Sequence, residues 1–240
     1  MDSVPTQMIE EGSVAAHSLR GASVLVAGAT GGIGSAIARE LDRRGARLTL
    51  VARDAQRLED LAVPGTRYAC DLRSPQACEE AVVVAGRLDV LVNCVGVVAF
   101  GAVTDLRSET LEELFRANVF VAVLLARAAL PVLGRGGAIV NISGVIAERN
   151  LPGMAAYGAS KAAVRSFDEA LAREARRSGV RVLDARPPHT ETGLAGRAIE
   201  GTAPKMPPGL SARNVAGAIC DALERGAVDL PSSAFAADRR

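Results

Sequence analysis

The 240-residue sequence has few aromatic residues and almost no net charge. Aromatic residues make up 3% of the chain, tryptophan is absent, and the formal net charge is +1. A base-stacking platform needs aromatic side chains, and binding to nucleic acid or to an acidic membrane surface needs a basic patch. The composition therefore argues against a nucleic-acid partner and against a membrane partner.

Metal-binding cysteine motifs and long apolar runs are also missing. The four cysteines show no CxxC spacing and no neighbouring histidine cluster, which predicts reduced thiols, no metal site and no disulfide framework. No apolar run approaches the roughly 18 residues that a membrane span needs. Residues 1–20 lack the basic-then-apolar pattern of a signal peptide. We therefore expect a cytoplasmic protein with a flexible extension over residues 1–20 and one domain over residues 21–240.

Short apolar runs typical of buried strands alternate with amphipathic helical patterns. This alternation predicts an α/β fold of the doubly wound, Rossmann type, with a mostly parallel sheet flanked by helices in three α/β/α layers. The predicted strands are 22–27, 47–52, 66–71, 88–93, 137–143 and 180–185, with a possible short last strand at 228–231. One predicted helix follows Gly34, and the others cover residues 76–86, 109–133, 155–178 and 211–225.

The turn after the first predicted strand is rich in glycine and leads directly into a helix. Glycines in this setting permit a tight turn and let backbone N–H groups approach a pyrophosphate at the helix N-terminus. The pattern predicts a dinucleotide site, with cofactor-binding candidates Gly28, Thr30, Gly32, Ile33 and Gly34.

The end of the second predicted strand bears on which dinucleotide is bound. An acidic residue there usually binds the adenosine ribose hydroxyls of NAD, but here Ala52 occupies that position and Arg53 follows. A guanidinium suits a 2′-phosphate, so the sequence predicts NADP(H), with NAD(H) as a possible cofactor. Two alternatives are that Arg53 is a solvated loop residue and that it pairs with the neighbouring Asp54.

Three polar residues lie at positions where chemistry or structure could explain them. Asp71 ends the third predicted strand and either contacts the adenine edge or caps the helix after Ser74. Asn118 lies inside a predicted helix, where its amide either bonds to backbone or water at a distortion or is a chance polar residue. Ser143 ends the fifth predicted strand, at the carboxyl end where open α/β sheets bind ligands, and is either a site residue or a turn residue.

Tyr157 and Lys161 are four residues apart at the start of a predicted helix and therefore project from one face. A neighbouring ammonium stabilises a phenolate, so we expect Lys161 to lower the pKa of Tyr157 and make it a proton donor and acceptor near neutral pH. Alternatively, the two residues form a solvated surface pair.

Together these motifs resemble the short-chain dehydrogenase/reductase family, over roughly residues 20 to 230. Ala27 to Gly34 is similar to the family's T-G-x3-G-x-G motif, and Asn93 to Gly96 to its N-N-A-G turn. The family's catalytic tetrad falls on Asn118, Ser143, Tyr157 and Lys161.

The resemblance implies an NADP(H)-dependent oxidoreductase that interconverts a carbonyl and a secondary alcohol. Tyr157 would be the general acid or base, Lys161 would lower its pKa and bind the nicotinamide ribose, and Ser143 would hydrogen-bond the substrate oxygen. Asn118 would hold a water of a proton relay. The further cofactor contacts it implies are Asp71, Leu72, Asn93, Gly96, Pro187 and Thr192.

Three departures from the family pattern qualify this assignment. Pro187-Pro188 replaces the usual Pro-Gly, which could alter the backbone beside the nicotinamide and leaves a non-catalytic NADP(H) sensor as the alternative function. His189 opens a predicted substrate lid over about 188–210, as a substrate contact or a solvated residue. The family's C-terminal strand with a glycine pair is missing, so a dimer is favoured over a tetramer.

A small-molecule substrate of lipophilic or cyclic character is expected from the apolar residues near the predicted site, although these residues could equally belong to the core. These candidate substrate walls are Val97, Val98, Phe100, Val145, Ile146, Leu151 and Met154.

Overall fold

The computed structural model describes residues 18–235, which build an α/β fold around one large sheet. The strands are β1 (Ser23–Ala27), β2 (Arg47–Ala52), β3 (Thr66–Ala69), β4 (Leu88–Asn93), β5 (Leu133–Ile142), β6 (Arg181–Ala185), β7 (Thr190–Glu191), β8 (Leu210–Ser211) and β9 (Asp229–Leu230). Seven of them form a parallel sheet with the order β3-β2-β1-β4-β5-β6-β9. The two-residue strands β7 and β8 pair with each other outside this sheet.

Helices connect successive strands of the large sheet and cover both of its faces. They are α1 (Gly32–Arg43), α2 (Ala55–Glu59), α3 (Pro75–Ala85), α4 (Ser108–Phe115), α5 (Val121–Ala129), α6 (Ala155–Ala175) and α7 (Ala212–Glu224). Helices α1 and α7 pack on one face, and α3, α5 and α6 pack on the other.

Alternation of side chains along β1 shows how the sheet joins the two cores. Val24 and Val26 are buried against the α1 and α7 side, whereas Leu25 and Ala27 are buried against the α3, α5 and α6 side. A strand covered on both faces must be apolar throughout, which is the pattern that marked these segments in the sequence. The prediction of a three-layer, doubly wound α/β fold is confirmed.

The long helix predicted over 109–133 differs from the structure in two respects. A turn of π-helix, Arg116–Phe120, separates α4 from α5, and β5 begins at Leu133 rather than at residue 137. Single π-turns inside α-helices are rare and are frequently found at functional sites, and Asn118 lies at the centre of this one. Leu133 pairs with Leu88 before a shift in register, so the glycine-rich stretch after it belongs to an irregular strand.

The ends of the described chain pack against the sheet or its helices. Leu19 is fully buried in the α1 and α7 core, and its backbone N–H donates to Glu224. The predicted flexible extension over 1–20 lies, up to residue 17, outside the described residues. The possible last strand is confirmed as β9, which pairs with β6. None of the helices within residues 18–235 has the length and apolar character needed to cross a membrane.

Candidate active site

A cavity of about 670 Å³ opens along the carboxyl ends of the central strands. It extends from Arg53 after β2, past the glycine-rich turn after β1, to Tyr157 on α6. Most of the predicted site residues line this one cavity: Gly28, Thr30, Gly32, Ile33, Gly34, Arg53, Asp71, Leu72, Gly96, Ser143, Tyr157, Lys161, Pro187 and Thr192. Asn93 and Asn118 are buried and are not among the residues that line it.

The turn after β1 requires glycines because neighbouring atoms leave no room for side chains at these positions. Gly28 has a φ of +75°, and a Cβ on Gly34 would lie 2.2 Å from the carbonyl oxygen of Gly28. A Cβ on Gly32 would lie 2.3 Å from the Thr192 side chain. The first turn of α1 carries no acidic residue, so its exposed N–H groups form a cradle suited to an anion.

Two arginines lie at the end of the cavity beside β2. Asp54 caps α2 by accepting from the Arg57 N–H at 3.0 Å and forms no ion pair with Arg53, so the proposed Arg53–Asp54 pair is wrong for the described residues. The Arg57 guanidinium donates to the Thr30 carbonyl at 2.6 Å and thereby braces the glycine-rich turn. Both guanidinium groups line the cavity and are exposed to solvent.

Asp71 faces the same end of the cavity but does not cap α3. Ser74 caps that helix by accepting from the Ala77 N–H, so the capping alternative for Asp71 is wrong. Arg73 binds the Asp71 carboxylate and also Glu113, and its hydrogen bond holds the pKa of Asp71 below its usual value.

Asn93 has a structural environment in the turn after β4. Its side chain donates to Asn141 at 3.0 Å and accepts from the Val95 N–H at 3.1 Å. These bonds fix the turn that carries Gly96, where a Cβ would lie 3.2 Å from Asn118 Oδ1 and 3.3 Å from Lys161 Nζ. The N-C-V-G turn therefore packs directly against two members of the tetrad.

Asn118 and Lys161 are buried and held by backbone groups. Asn118 accepts from the Val97 N–H at 2.8 Å and donates to the Val97 carbonyl and to Ser160. The expectation that its amide bonds to backbone at a helix distortion is confirmed. Lys161 Nζ donates to the Ile142 carbonyl at 2.8 Å and is 6% exposed.

The pKa of Tyr157 is shifted in the direction opposite to the prediction. Burial raises the pKa of the Tyr157 phenol to about 12, and burial lowers the pKa of Lys161 from 10.5 to about 8. The predicted lowering of the Tyr157 pKa by Lys161 is thus wrong in this structure. Desolvation of the phenolate dominates, while the ammonium is itself weakened by burial and points at the Ile142 carbonyl.

Ser143 follows the last residue of β5, borders the cavity and has no solvent-exposed surface. Its hydroxyl donates to Asp184 on β6, and Arg186 binds the other oxygen of that carboxylate. The catalytic tetrad predicted from the sequence therefore shares the site with a buried acid and a buried arginine.

Apolar side chains form the far end of the cavity. All seven predicted substrate-wall residues line it, and four of them, Val98, Phe100, Ile146 and Met154, form a small buried cluster with the Tyr157 ring packed against it. His189 also lines the cavity, with Nε2 3.5 Å from Glu191. The lid region continues through the β7–β8 pair, and its segment near Glu200 is bonded to Phe100.

A family model for short chain dehydrogenases matches residues 22–202, which contain this whole cavity except for Met206 and Pro207. The chain belongs to the short-chain dehydrogenase family. Its members are oxidoreductases that act on the CH–OH or C=O group, and this chain is one of them.

Curated and solved relatives agree with this short-chain dehydrogenase assignment. Dehydrogenase/reductase SDR family member 7B of Bos taurus is 33% identical over 200 residues, which are 75% of this chain; they span only 62% of that relative's length. A short chain dehydrogenase of Burkholderia cenocepacia in complex with NADP superimposes with a TM-score of 0.81 at 26% identity, over 90% of this chain and 89% of that one. One from Sphingobium yanoikuyae in complex with NADPH gives 0.79 at 30% identity, over 88% and 87%.

Several residues of this short-chain dehydrogenase site were missed in the sequence. Arg57 lies in the short helix α2, whereas Arg53 precedes that helix, so no helical spacing in the sequence joins the two arginines. Asp184 interrupts an apolar strand, and a carboxylate in a strand buried on both faces is itself a signal. Arg73 and Glu113 are far apart in sequence, and no local pattern joins them.

Proposed function

We propose that this short-chain dehydrogenase is an NADP(H)-dependent oxidoreductase that interconverts a carbonyl and a secondary alcohol, with Tyr157 as the general acid and base. The observation that carries the proposal is one continuous cavity with two exposed arginines at one end and Tyr157, Lys161 and Ser143 at the other. An extended dinucleotide needs both an anion-binding end and a reactive end in a single cleft.

The residues of the glycine-rich turn fit the phosphates of such a cofactor. Gly32 and Gly34 keep side chains away from the N-terminus of α1, where the backbone N–H groups favour an anion. Arg53 and Arg57 offer guanidinium donors beside β2, where a 2′-phosphate distinguishes NADP(H) from NAD(H). The complexes of the two bacterial relatives with NADP and NADPH support this preference.

The cofactor, when bound, supplies or accepts a hydride. Because burial keeps the pKa of Tyr157 at about 12, the phenol is protonated at neutral pH and can donate to a substrate oxygen. Lys161 holds a positive charge below pH 8 and stabilises the phenolate that forms after proton transfer. The role of Asn118 in the proton relay falls to its backbone within the π-turn, because its side-chain amide is bonded to Val97 and Ser160.

The apolar end of the cavity supports a lipophilic or cyclic substrate. Phe100, Ile146 and Met154 face the Tyr157 ring in one cluster, and such walls favour ligands by excluding water. Pro188 lines the same end, where the family pattern has glycine.

Titration of the purified protein with NADPH and with NADH tests the cofactor, and a panel of ring ketones and secondary alcohols then tests turnover. We expect tighter binding of NADPH and measurable turnover that Tyr157→Phe abolishes while NADPH affinity stays within about twofold. Retained turnover in the Tyr157→Phe variant would remove the assigned mechanism.

A non-catalytic NADP(H) sensor is the second candidate, and Pro187-Pro188 beside the nicotinamide end is the observation that favours it. Its signature is NADPH binding by the wild type with no turnover across the panel. If restoring glycine at position 188 (Pro188→Gly) then produced turnover, the second proline would be the cause.

A cytoplasmic homodimer is proposed as the state in which the enzyme works. Leu111 and Phe120 on the α4–α5 face are 44% and 55% exposed, which supports an interface through these helices. Light scattering of the wild type and of Phe120→Glu tests this: a dimer that dissociates in the variant supports it, and a wild-type monomer refutes it.

A further inference from the structure

The Ser143 hydroxyl is bonded to a buried network of charged side chains. These charged side chains have no role in the proposed reaction. The hydroxyl donates to Asp184 Oδ1, and Arg186 Nη1 binds Asp184 Oδ2. The residues are almost completely buried, with exposed fractions of 0% for Ser143, 4% for Asp184 and 3% for Arg186. A buried carboxylate needs such partners, and here both of its oxygens have one.

Arg186 fixes the position of Asp184. Besides Asp184, its guanidinium binds Glu148 after β5 and Asp229 of β9, the latter at 2.7 Å. Glu148 in turn accepts from the backbone and the hydroxyl of Ser232. The guanidinium donates to one oxygen of Asp184 and the Ser143 hydroxyl donates to the other, so both oxygens act as hydrogen-bond acceptors.

This arrangement commits the single proton of the Ser143 hydroxyl. A hydroxyl donates one hydrogen bond, so a Ser143 that donates to Asp184 presents only oxygen lone pairs to the cavity. A substrate carbonyl oxygen also has only lone pairs and gains no hydrogen bond from such a serine. The hydroxyl of a secondary alcohol has a proton to donate and does gain one.

We infer that Asp184 is a positioning residue that makes Ser143 a hydrogen-bond acceptor, so that the site binds the alcohol form of its substrate in preference to the carbonyl form. The inference rests on the proposed function. The bound alcohol completes a directional chain: Tyr157 donates to the alcohol oxygen, the alcohol donates to Ser143, and Ser143 donates to Asp184. The protonated state of Tyr157 at neutral pH is consistent with its place as the first donor.

Asp184→Asn reverses the polarity of this chain with little change in shape. The carbonyl oxygen of the introduced amide would still accept from Arg186, and its NH₂ group would donate to Ser143 Oγ. The Ser143 proton is then free for the cavity, where it favours a carbonyl oxygen over an alcohol proton.

The experiment measures two unreactive ternary complexes by calorimetry, each on the wild type and on the variants. One is the NADPH complex with 1-tetralol or cyclohexanol, and the other is the NADP⁺ complex with 1-tetralone or cyclohexanone. Neither combination can transfer hydride, and the cofactor's own contribution cancels because each probe is compared with itself between proteins.

For Asp184→Asn we expect the dissociation constant of the alcohol to rise and that of the ketone to fall, each by roughly five- to tenfold, as one hydrogen bond is exchanged. When Ser143→Ala is introduced into both proteins, the difference in probe affinity between wild type and Asp184→Asn should disappear. If Asp184 had a purely structural role, Asp184→Asn would weaken the binding of both probes together. That result, or no change in either dissociation constant, would overturn the inference.

Asp229→Asn is the matched control, because Asp229 binds the same guanidinium without touching Ser143. We expect it to leave both probe affinities within about twofold of wild type. A reversal of probe selectivity in Asp229→Asn as large as in Asp184→Asn would assign the effect to the charge network rather than to the Ser143 bond.

The outcomes also distinguish the inference from the proposed function. A wild type that binds NADPH but turns over no ketone or alcohol would refute the proposed function, whereas turnover with unaltered probe selectivity in Asp184→Asn would refute only the inference. A wild type that binds neither probe of any pair would also remove the role of Asp184.

Discussion

Removing the two arginines at the adenosine end should abolish the preference for NADPH over NADH. Arg53 is exposed and lines the cavity, and it forms no ion pair with a described residue, so all of its donors are free for a phosphate. Arg57 already donates one N–H to the Thr30 carbonyl at 2.6 Å and has the remaining donors to offer. We therefore expect both residues to contribute, with Arg57 also bracing the glycine-rich turn.

The magnitude follows from the exposure of the two side chains. A hydrogen bond to a charged group contributes about 1.5–3 kcal/mol, and solvent screening at an exposed site reduces this to about 1–2 kcal/mol for each arginine. Arg53→Ala alone should weaken NADPH binding roughly 5- to 30-fold. The double variant with Arg57→Ala should lose about 2–3 kcal/mol, less than the sum if both arginines bind one phosphate.

Fluorescence titration of NADPH and NADH against the single and double variants measures this loss. The ratio of the two dissociation constants is the informative quantity. Loosening of the glycine-rich turn in Arg57→Ala should weaken the binding of NADPH and NADH equally, so this effect cancels in the ratio. Arg39→Ala, an exposed arginine of α1 away from the cavity, is the control and should change nothing. Equal weakening of NADPH and NADH in Arg53→Ala would refute the assignment of Arg53 to the 2′-phosphate.

Two further predictions concern the glycine-rich turn and the buried lysine. Gly34→Ala places a Cβ 2.2 Å from the Gly28 carbonyl oxygen and should abolish NADPH binding or lower the melting temperature. Gly217→Ala in α7 has open space around the new Cβ and should stabilise the protein by about 0.5–1 kcal/mol. Calorimetric melting of both variants measures the two opposite changes in stability. Because burial lowers the pKa of Lys161 to about 8, the unfolded chain binds more protons between pH 8 and 10.5, so stability should rise over that range by up to roughly 3 kcal/mol relative to Lys161→Met. Urea unfolding at pH 7.5 and pH 10 measures that difference, and parallel pH profiles for the two proteins would show that Lys161 is not the titrating group.

The strands of the large sheet could be predicted because burial on both faces makes each an apolar run that polar flanks delimit. β1 and β4 were predicted to within a residue for this reason. β5 was predicted to begin four residues late, because the glycine-rich stretch from 134 to 137 conceals a strand whose register is set by Leu88 on its neighbour. Such pairing is a long-range property that no local pattern contains.

The candidate site shows the same division between local and long-range information. Tyr157 and Lys161 share a helix face, so spacing alone placed them together. The pKa of Tyr157 was predicted in the wrong direction, since it depends on how deeply distant segments bury the phenol. Asp184 lies 41 residues from Ser143 in the sequence, and only the adjacency of β5 and β6 brings their side chains into contact.

The attachment of the lid to the cavity floor restricts how a ligand enters. The Phe100 N–H donates to the Glu200 carbonyl at 2.9 Å, and the Ile199 N–H donates to the Val98 carbonyl at 2.9 Å. At the other end, Thr190 is paired with Leu210 in the small sheet. Two segments run between these attachments, residues 192–198 and residues 201–209, and both contribute side chains to the cavity lining, among them Leu194 and Met206. A ligand too large for the cavity would have to displace one of these two segments, because backbone hydrogen bonds hold the residues at both attachments.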